Sequence, residues 1–426
     1  MSEESILSDD LLRQLISVGE VDILVGLPTQ NNAKTIGETA QIIRSGLLKY
    51  FPRARTAILD ADAGSRDGTP GLVTAAAISD TGESEMPQSL RTMHCITTTL
   101  AGTEKKGTAL QTMVAAADLL RARVCAVISP ETTRITPEWI DRLVRPIYQD
   151  DFDLVTPTYR RHAYDGILIT NLLYPVTRAL FGRRVREPNP ADFAFSGKFG
   201  AYLMDRESWW QELGESGAEF CFTAAAIAGD YRLQQSFLGT KDRAENRSAD
   251  LVLAMRRTLS ALFWSLDEYY DAWSNHNSES QPVPTEGAEY ETTLEPVRVN
   301  RKRFYEMFRS GVADLEPVLA TILTTPTLEE LKRCINTAEA SVPFSDELWA
   351  RTIYEFAGSY HHAVISRDHI IQALVPLYRG RVYTYLEQIN VASPQKVEQD
   401  IEAVCRTFER CKPTLAAMWA RRQGGS

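Results

Sequence analysis

Residues 21–32 read VDILVGLPTQNN, and residues 56–70 read TAILDADAGSRDGTP. Each begins with a short apolar run and then breaks into Pro, Gly, Asn and Asp, the pattern of a buried strand that ends in a loop. Val21–Leu27 predicts a first strand closed by Pro28. Thr56–Leu59 predicts a second, followed by a dense turn over Asp60–Pro70. Between them Ile36, Ala40, Ile43 and Leu47 recur at helical spacing ahead of Pro52. Strand, helix and strand in that order make a βαβ unit, and a succession of such units makes a mainly parallel sheet.

The alternation continues outward from these stretches. Lys106–Leu120 places Leu110, Met113, Val114, Ala117 and Leu120 on one helical face, and Val124–Ser129 (VCAVIS) reads as a further buried strand. Thr136-Pro137-Glu138 starts a helix, with Thr as N-cap and Pro at the first helical position. Asp153–Thr156 is a fourth strand, while residues 79–89 are polar and read as a surface excursion. Beyond about Arg243 the strand-like runs fade. Arg301–Leu323, Thr327–Ala338, Asp346–Ser359, His369–Glu387 and Pro394–Trp419 carry amphipathic helical periodicity. The segment Ser274–Pro296, rich in Ser, Asn, Pro and Glu, reads as a loop or linker. The expected architecture is an α/β domain over residues 1–245 and an all-helical domain over residues 246–426, with the 274–296 loop inside the second.

Composition narrows the function. A chain of 426 residues suits two domains. Lys+Arg 46 against Asp+Glu 56 gives a formal charge of −10, which argues against a nucleic-acid binder but leaves room for a local basic pocket. Met1–Asp10 carries four acidic residues and no basic ones, unlike a secretory leader. No uncharged apolar run reaches the roughly 18 residues of a spanning helix. The longest, Gly166–Thr177, contains Asn171 and Pro175. The six cysteines are scattered without a CxxC pair, as expected for reduced thiols in a cytoplasmic protein.

Ligands of an open α/β sheet gather beyond the carboxyl ends of its strands. Four stretches fall there: Pro28–Asn32, Asp60–Thr69, Ser129–Glu131 and the region of Asp192. The first sets amide donors ahead of a helix N-terminus, suited to an anion or a base edge, or equally to a plain helix-capping loop. The second joins the acceptor carboxylates Asp60 and Asp62 to a glycine turn, suited to a base or ribose, or to an Asx-rich surface turn. Lys105-Lys106-Gly107 opens a helix, where an ammonium either meets a diphosphate or stays solvated. Ser129-Pro130-Glu131 stands where Mg²⁺ or Mn²⁺ with a sugar diphosphate would want two carboxylates, and offers one.

The order VGLPTQNNAKTI, DADAGSRDGT, KKGTAL and the strand end before ITPEWI resembles GT-A-fold glycosyltransferases of the family-2-like superfamily. Within that group the chain is most similar to glucosylglycerate, glucosyl-3-phosphoglycerate and mannosylglycerate synthases. The likeness runs on through EPNPADFAFSGKFGAYLM, GAEFCFTAAAIAGDYRLQQSFLGTKDR and FSDELWARTIYEFAGSYHHAV. It implies a GT-A (Rossmann-like, mainly parallel) catalytic domain. It also implies retaining transfer of glucose or mannose from a UDP- or GDP-hexose to a small acidic acceptor such as glycerate or 3-phosphoglycerate. Carried over position by position, it implies that Pro28 and Asn31 line the nucleotide and that Asp60 and Asp62 face base and ribose. Lys106 and Gly107 would sit by the diphosphate. Ser129 and Glu131 occupy the Asp-x-Asp positions. Asp192 would lie in the acceptor loop, and Glu219 would present a carboxylate to the reacting sugar. Asp242 stands near the place of a late histidine ligand, so Glu131 and Asp242 are the candidate ligands of a Mg²⁺ or Mn²⁺ ion. The departures at Ser129 and after SFLG leave a second reading, a relative that binds a sugar nucleotide or a protein partner without efficient transfer. They also raise Lys241, Arg243 and Lys106 as fixed positive charges in place of the metal. The helical domain would complete the acceptor side and could form a homodimer interface.

Other tempting residues have plainer readings. His361-His362 point about 100° apart on a helix and suit packing better than a shared ion. Trp209-Trp210 suits burial. The basic run Arg183-Arg184-Val185-Arg186 suits a solvated face, with an acceptor anion as the competing use.

Overall fold

The structure is a computed structural model that describes residues 7–78, 93–100, 106–206, 210, 218–241, 251–276, 279–287, 291–294, 299–337, 344–390 and 392–420. The polar segment 79–89 lies outside the described residues. From the N-terminal side, helix α1 (Asp9–Val18) is followed by β1 (Ile23–Thr29), α2 (Ile36–Tyr50), β2 (Thr56–Asp62), α3 (Thr69–Ile78) and β3 (Met93–Thr99). Next come α4 (Lys106–Leu119), β4 (Val124–Val127), α5 (Pro137–Asp150) and β5 (Leu154–His162). A π-helical turn at Ile169–Leu173 leads into α6 (Tyr174–Phe181) and β6 (Arg183–Arg184). Then follow β7 (Phe193–Ser196), α7 (Gly197–Met204), α8 (Glu219–Ala228) and β8 (Leu233–Thr240).

The expected mainly parallel α/β sheet is present, with strand order β8-β5-β7-β4-β1-β2-β3. β1 lies parallel to β2 and β4, whereas β7 runs antiparallel to β4 and β5. Ile23, Val25 and Leu27 of β1 and Ile58 of β2 send apolar side chains into a core with Ile36, Ala40 and Ile43 of α2 and Ile140 and Leu143 of α5.

The two decisive strands are longer than their apolar runs. β1 continues through Pro28 to Thr29, because pairing with β4 stops at Gly26↔Val127 and the proline faces no neighbour that needs its missing N–H. β2 continues through Asp62, paired on one side with β1 and on the other with β3. The turn therefore begins three residues later than composition suggests, and Asp60 and Asp62 are strand residues. Backbone pairing set those limits, and it is indifferent to side-chain polarity.

The later part of the chain is helical: α9 (Leu251–Glu268), α10 (Tyr270–Ser274), α11 (Arg301–Asp314), α12 (Glu316–Ile322), α13 (Thr325–Asn336), α14 (Asp346–His361), α15 (Arg367–Ile389) and α16 (Pro394–Trp419). The single helix expected over Arg301–Leu323 breaks at Leu315, since Pro317 in the next turn cannot donate and would clash with a continuing helix. The segment read as a linker holds three short strands, β9 (Gln281–Pro282), β10 (Thr285–Glu286) and β11 (Glu291–Thr293). β10 adds to β8 at the sheet edge. The pairing uses backbone groups together with side-chain bonds from Gln235 to Thr285 (3.0 Å) and from Gln234 to Glu286 (3.1 Å), so a polar, exposed dipeptide can supply it.

The chain folds as two compact units. One comprises the described parts of residues 1–159, 189–242 and 283–290; the other comprises those of 160–188, 243–282 and 291–426. In the second unit, Arg178 of α6 is buried and gives a two-bond fork to Glu402 at 2.5 and 2.8 Å, with Nε on Glu409 at 2.7 Å. Pro175 has no N–H for the carbonyl of Asn171, and the Trp349 indole donates to that carbonyl at 2.7 Å. Arg186 pairs with Glu398 at 3.1 Å and covers the Tyr174 ring. His361 stacks on Trp419 with ring centres 4.2 Å apart.

Gly46 marks the closest approach of α2 to α5: a Cβ there would lie 2.8 Å from both the Pro137 carbonyl oxygen and Ile140 Cγ1. Gly46→Ala should gain up to about 1 kcal/mol of helix propensity but lose about 1–3 kcal/mol to overpacking. The expected net effect is a lower urea midpoint at unchanged slope. A raised midpoint would mean that the two helices yield freely.

Candidate functional site

β1 and β2 end side by side, with Leu27 opposite Asp60 and Thr29 opposite Asp62. Alternate residues of a strand share a face, so Thr29, Asp60 and Asp62 continue the face that Val25, Leu27 and Ile58 send into the core. All three are buried. The Thr29 hydroxyl donates to Asp60 Oδ1 at 2.5 Å and also faces Asp62 Oδ1 at 3.2 Å. Asp62 accepts in addition from the amides of Gly64 (3.1 Å) and Ser65 (2.9 Å) and from the Ser65 hydroxyl.

Asp60 is served less well. Its Oδ2 is buried and has no hydrogen-bond partner among the described residues. Burial, opposed by the Thr29 hydrogen bond and reinforced by the Asp62 charge, pushes the Asp60 carboxyl up to about 7. Near neutral pH it can therefore offer either a proton or a lone pair.

The adjoining loops are stitched to each other. The amide of Gln30 donates to Asn32 Oδ1 (2.6 Å), that of Asn31 to Ser65 Oγ (2.7 Å), that of Asn32 to Thr69 Oγ1 (2.9 Å) and that of Ala33 to Asp67 Oδ2 (2.9 Å). Asn31 has φ 54°, and its side-chain oxygen accepts from the Arg66 amide at 3.0 Å. The amide donors of the PTQNN stretch thus hold the loop of the neighbouring strand. Hydrogen bonds from Thr69 and the Ala33 amide keep the Asp67 carboxyl below the usual range.

A second cluster lies along the same edge. β7 runs antiparallel to β4, with Val127 opposite Phe193, so Asp192 sits beside the end of β4. Asp192 has no exposed surface. Its Oδ1 accepts from the Ser129 amide at 2.9 Å and the Thr132 hydroxyl at 3.3 Å; its Oδ2 accepts from the Tyr159 hydroxyl and the Lys241 ammonium, both at 2.8 Å. Lys241 Nζ also lies 4.8 Å from the centre of the Tyr159 ring. Thr35, ahead of α2, donates to the Pro130 carbonyl at 2.6 Å and fixes the Ser129–Glu131 turn against the first cluster's loop. At about 4.8 Å per strand, the three spacings from β2 to β7 cover roughly 15 Å of edge.

Among the described residues the donor set fits a divalent cation poorly. Ser129 brings no charge, Glu131 is exposed, Asp242 lies outside the described residues, and both oxygens of Asp192 are engaged, one by an ammonium. Among the described residues no three His, Cys, Asp or Glu side chains stand close enough to hold an ion, whereas hard cations gather six or more oxygens, or one or two carboxylates with phosphate and water.

Of the other anticipated residues, Pro28 is half-buried within β1. Lys106 and Gly107 are the first positions of α4, and their side chains lie outside the described residues. Glu219 opens α8 one turn before Phe222, whose ring meets Phe193 at 5.0 Å next to Asp192. Trp209 lies outside the described residues, while Trp210 is buried and donates to the Leu203 carbonyl at 3.0 Å. Thr29, Ser65, Thr132 and Tyr159 were not singled out from sequence. Only Thr29 left a signal there, the two-residue period of Ile23, Val25 and Leu27 carried across Pro28.

No protein-family model matches the chain, and neither does any curated protein. Solved structures do. Glucosyl-3-phosphoglycerate synthase from Mycobacterium tuberculosis, in complex with Mn²⁺, UDP and glucosyl-3-phosphoglycerate, is 19% identical over 60% of this chain and 83% of its own, with a TM-score of 0.43. The same enzyme in complex with Mn²⁺, UDP-glucose and phosphoglyceric acid is 17% identical over 68% and 91%, with a TM-score of 0.43. A further mycobacterial protein is 20% identical over 60% and 78%, with a TM-score of 0.42.

Two outcomes test the cluster's electrostatics. Because the folded carboxyl of Asp60 holds its proton more tightly than an unfolded one, its stabilising contribution is complete at low pH. That contribution is lost as pH rises from about 4 through 7. Asp60→Asn should therefore flatten the fall of melting temperature over that window, and parallel profiles would show that Asp60 titrates like a surface carboxyl. Asp192→Ala leaves the Lys241 ammonium without its counter-charge and should cost about 3–5 kcal/mol in urea unfolding; a loss below about 1 kcal/mol would reduce the pair to a surface contact.

Proposed function

We propose that the chain is a sugar-nucleotide-dependent hexosyltransferase. It moves glucose or mannose from a UDP- or GDP-hexose to a small hydroxy acid such as glycerate or 3-phosphoglycerate, with retention at the anomeric carbon. The observation that carries this reading is the unpartnered, buried Oδ2 of Asp60 beside Asp62 at the carboxyl edge of β1 and β2. The polar edge of a nucleobase sets N–H and C=O groups side by side, and a carboxyl titrating near 7 can meet either. Asp62, charged and anchored by the Ser65 loop, suits a ribose hydroxyl. From that anchor the edge runs through Ser129 to Asp192, the direction a diphosphate and its sugar would follow.

In the transfer, the bond between the anomeric carbon and the diphosphate oxygen breaks, and its electron pair stays with the diphosphate. The acceptor hydroxyl oxygen bonds to the same carbon, and its proton passes to the departing diphosphate or to Glu219. Among the described residues no helix is long and apolar enough to cross a membrane, which accords with soluble substrates on both sides of the reaction.

Calorimetric titration with UDP-glucose, GDP-glucose and GDP-mannose tests the reading. One donor is expected to bind, and Asp60→Ala and Asp62→Ala should each weaken it by about tenfold or more. Incubation of that donor with glycerate or 3-phosphoglycerate should then release the nucleoside diphosphate and a glycosylated acid. Binding without release would make the chain a sugar-nucleotide binder, and no binding of any donor would remove the reading altogether.

A further inference from the structure

The arrangement around Asp192 meets a need that a metal would otherwise meet. A divalent cation beside a sugar diphosphate draws on one or two free protein carboxylates, whereas the one buried carboxylate here is already matched by an ammonium 2.8 Å away. Asp192 is held from three further directions by Ser129, Thr132 and Tyr159. These donors spread its negative charge inward, while Lys241, 19% exposed against 0% for Asp192, forms the outer end of the pair. The pair is thus an oriented dipole with its positive end nearer solvent. The Tyr159 ring beneath Nζ limits the rotamers that the lysine can adopt. A lysine ammonium has three donors, and Asp192 accepts one. A fixed cation whose orientation precedes the ligand is the arrangement that best stabilises charge developing on a leaving group.

We propose that Lys241, positioned by Asp192, is the cation that receives the donor's diphosphate, and that the chain binds and turns over its donor without a divalent metal. As the anomeric C–O bond breaks and its electron pair passes to the diphosphate, the Lys241 ammonium meets the added charge without giving up its proton. The proposal rests on the sugar-nucleotide reading above and assigns it a cofactor-free leaving-group site.

The test is equilibrium binding of UDP and GDP, each beside its nucleoside, in excess EDTA and in excess Mg²⁺ or Mn²⁺. The diphosphate that binds should do so with the same Kd in all conditions, within about twofold. Lys241→Gln should weaken it by about tenfold while leaving the nucleoside's affinity unchanged, and added Mn²⁺ should not restore the loss. Lys241→Arg, which keeps the charge, should recover part of it. Because Lys241→Gln strands the Asp192 charge, the double variant Lys241→Gln with Asp192→Asn serves as a folded neutral control, checked by thermal melting, and should show the same selective loss. If EDTA abolishes binding of the diphosphate to the unmodified protein, or if Lys241→Gln binds it unchanged, the Lys241 proposal is overturned and the nucleotide reading stands. If neither nucleosides nor diphosphates bind in any condition, both fall together.

Discussion

A carboxylate removed entirely from water must be met by donors or give up its charge. Asp192 is met by four, and they come from places far apart in the chain: the turn after β4, the middle of β5 and the end of β8. Each donor is thereby fixed relative to the others, so the part of the carboxyl edge around β4, β5 and β8 owes its order to this one group. Asp60 lies on the same edge under the opposite condition. It is as deeply buried, yet it has a single shared hydroxyl on one oxygen and nothing on the other among the described residues. One carboxylate is satisfied from within, and the other keeps an oxygen without a partner among the described residues.

The hydroxyl of Thr29 is what makes the Asp60–Asp62 pair tolerable to the fold. Two carboxylates on one face of neighbouring strands repel, and the proton of a single threonine lies between them. Asp62 turns toward the Ser65 loop, whose amides carry its charge. Asp60 is left with a raised proton affinity, which follows from burial more than from its neighbour.

Much of this fold was legible in the sequence because its elements are long or strongly periodic. Pro394–Trp419 was bounded correctly at both ends, with Ser393 accepting from the Lys396 amide at its start. The carboxyl ends of β1 and β2 were harder to read, since composition there signals a turn while the hydrogen-bonding partners of β1, β2 and β3 keep the chain extended. The short strands after residue 280 left no mark because they are two or three residues long and polar, too short to show a period. Of the candidate site, the carboxylates could be named from their positions, but their partners could not. Asp192 and Lys241 are 49 residues apart, and no local pattern reports a contact at that separation. The same holds for the Trp349 indole on the Asn171 carbonyl, which replaces a donor that Pro175 lacks.

The sheet-bearing unit is not finished where its last long strand ends. After β8 the chain leaves for α9 and α10, then returns at residues 283–290 to lay β10 along the exposed side of β8. During synthesis, therefore, β8 must wait with one row of backbone groups facing water until some forty further residues have emerged. An open strand edge is a template for any other extended chain. Between those two moments the nascent protein depends on the sequence of β8 itself, LQQSFLGT, where Gln234, Gln235 and Ser236 interrupt the apolar residues. Gln234, Gln235 and Ser236, which in the finished fold bond to Glu286, Thr285 and the Arg142 carbonyl, would thus serve the protein earlier as well, by making this unfinished edge a poor partner for neighbouring chains.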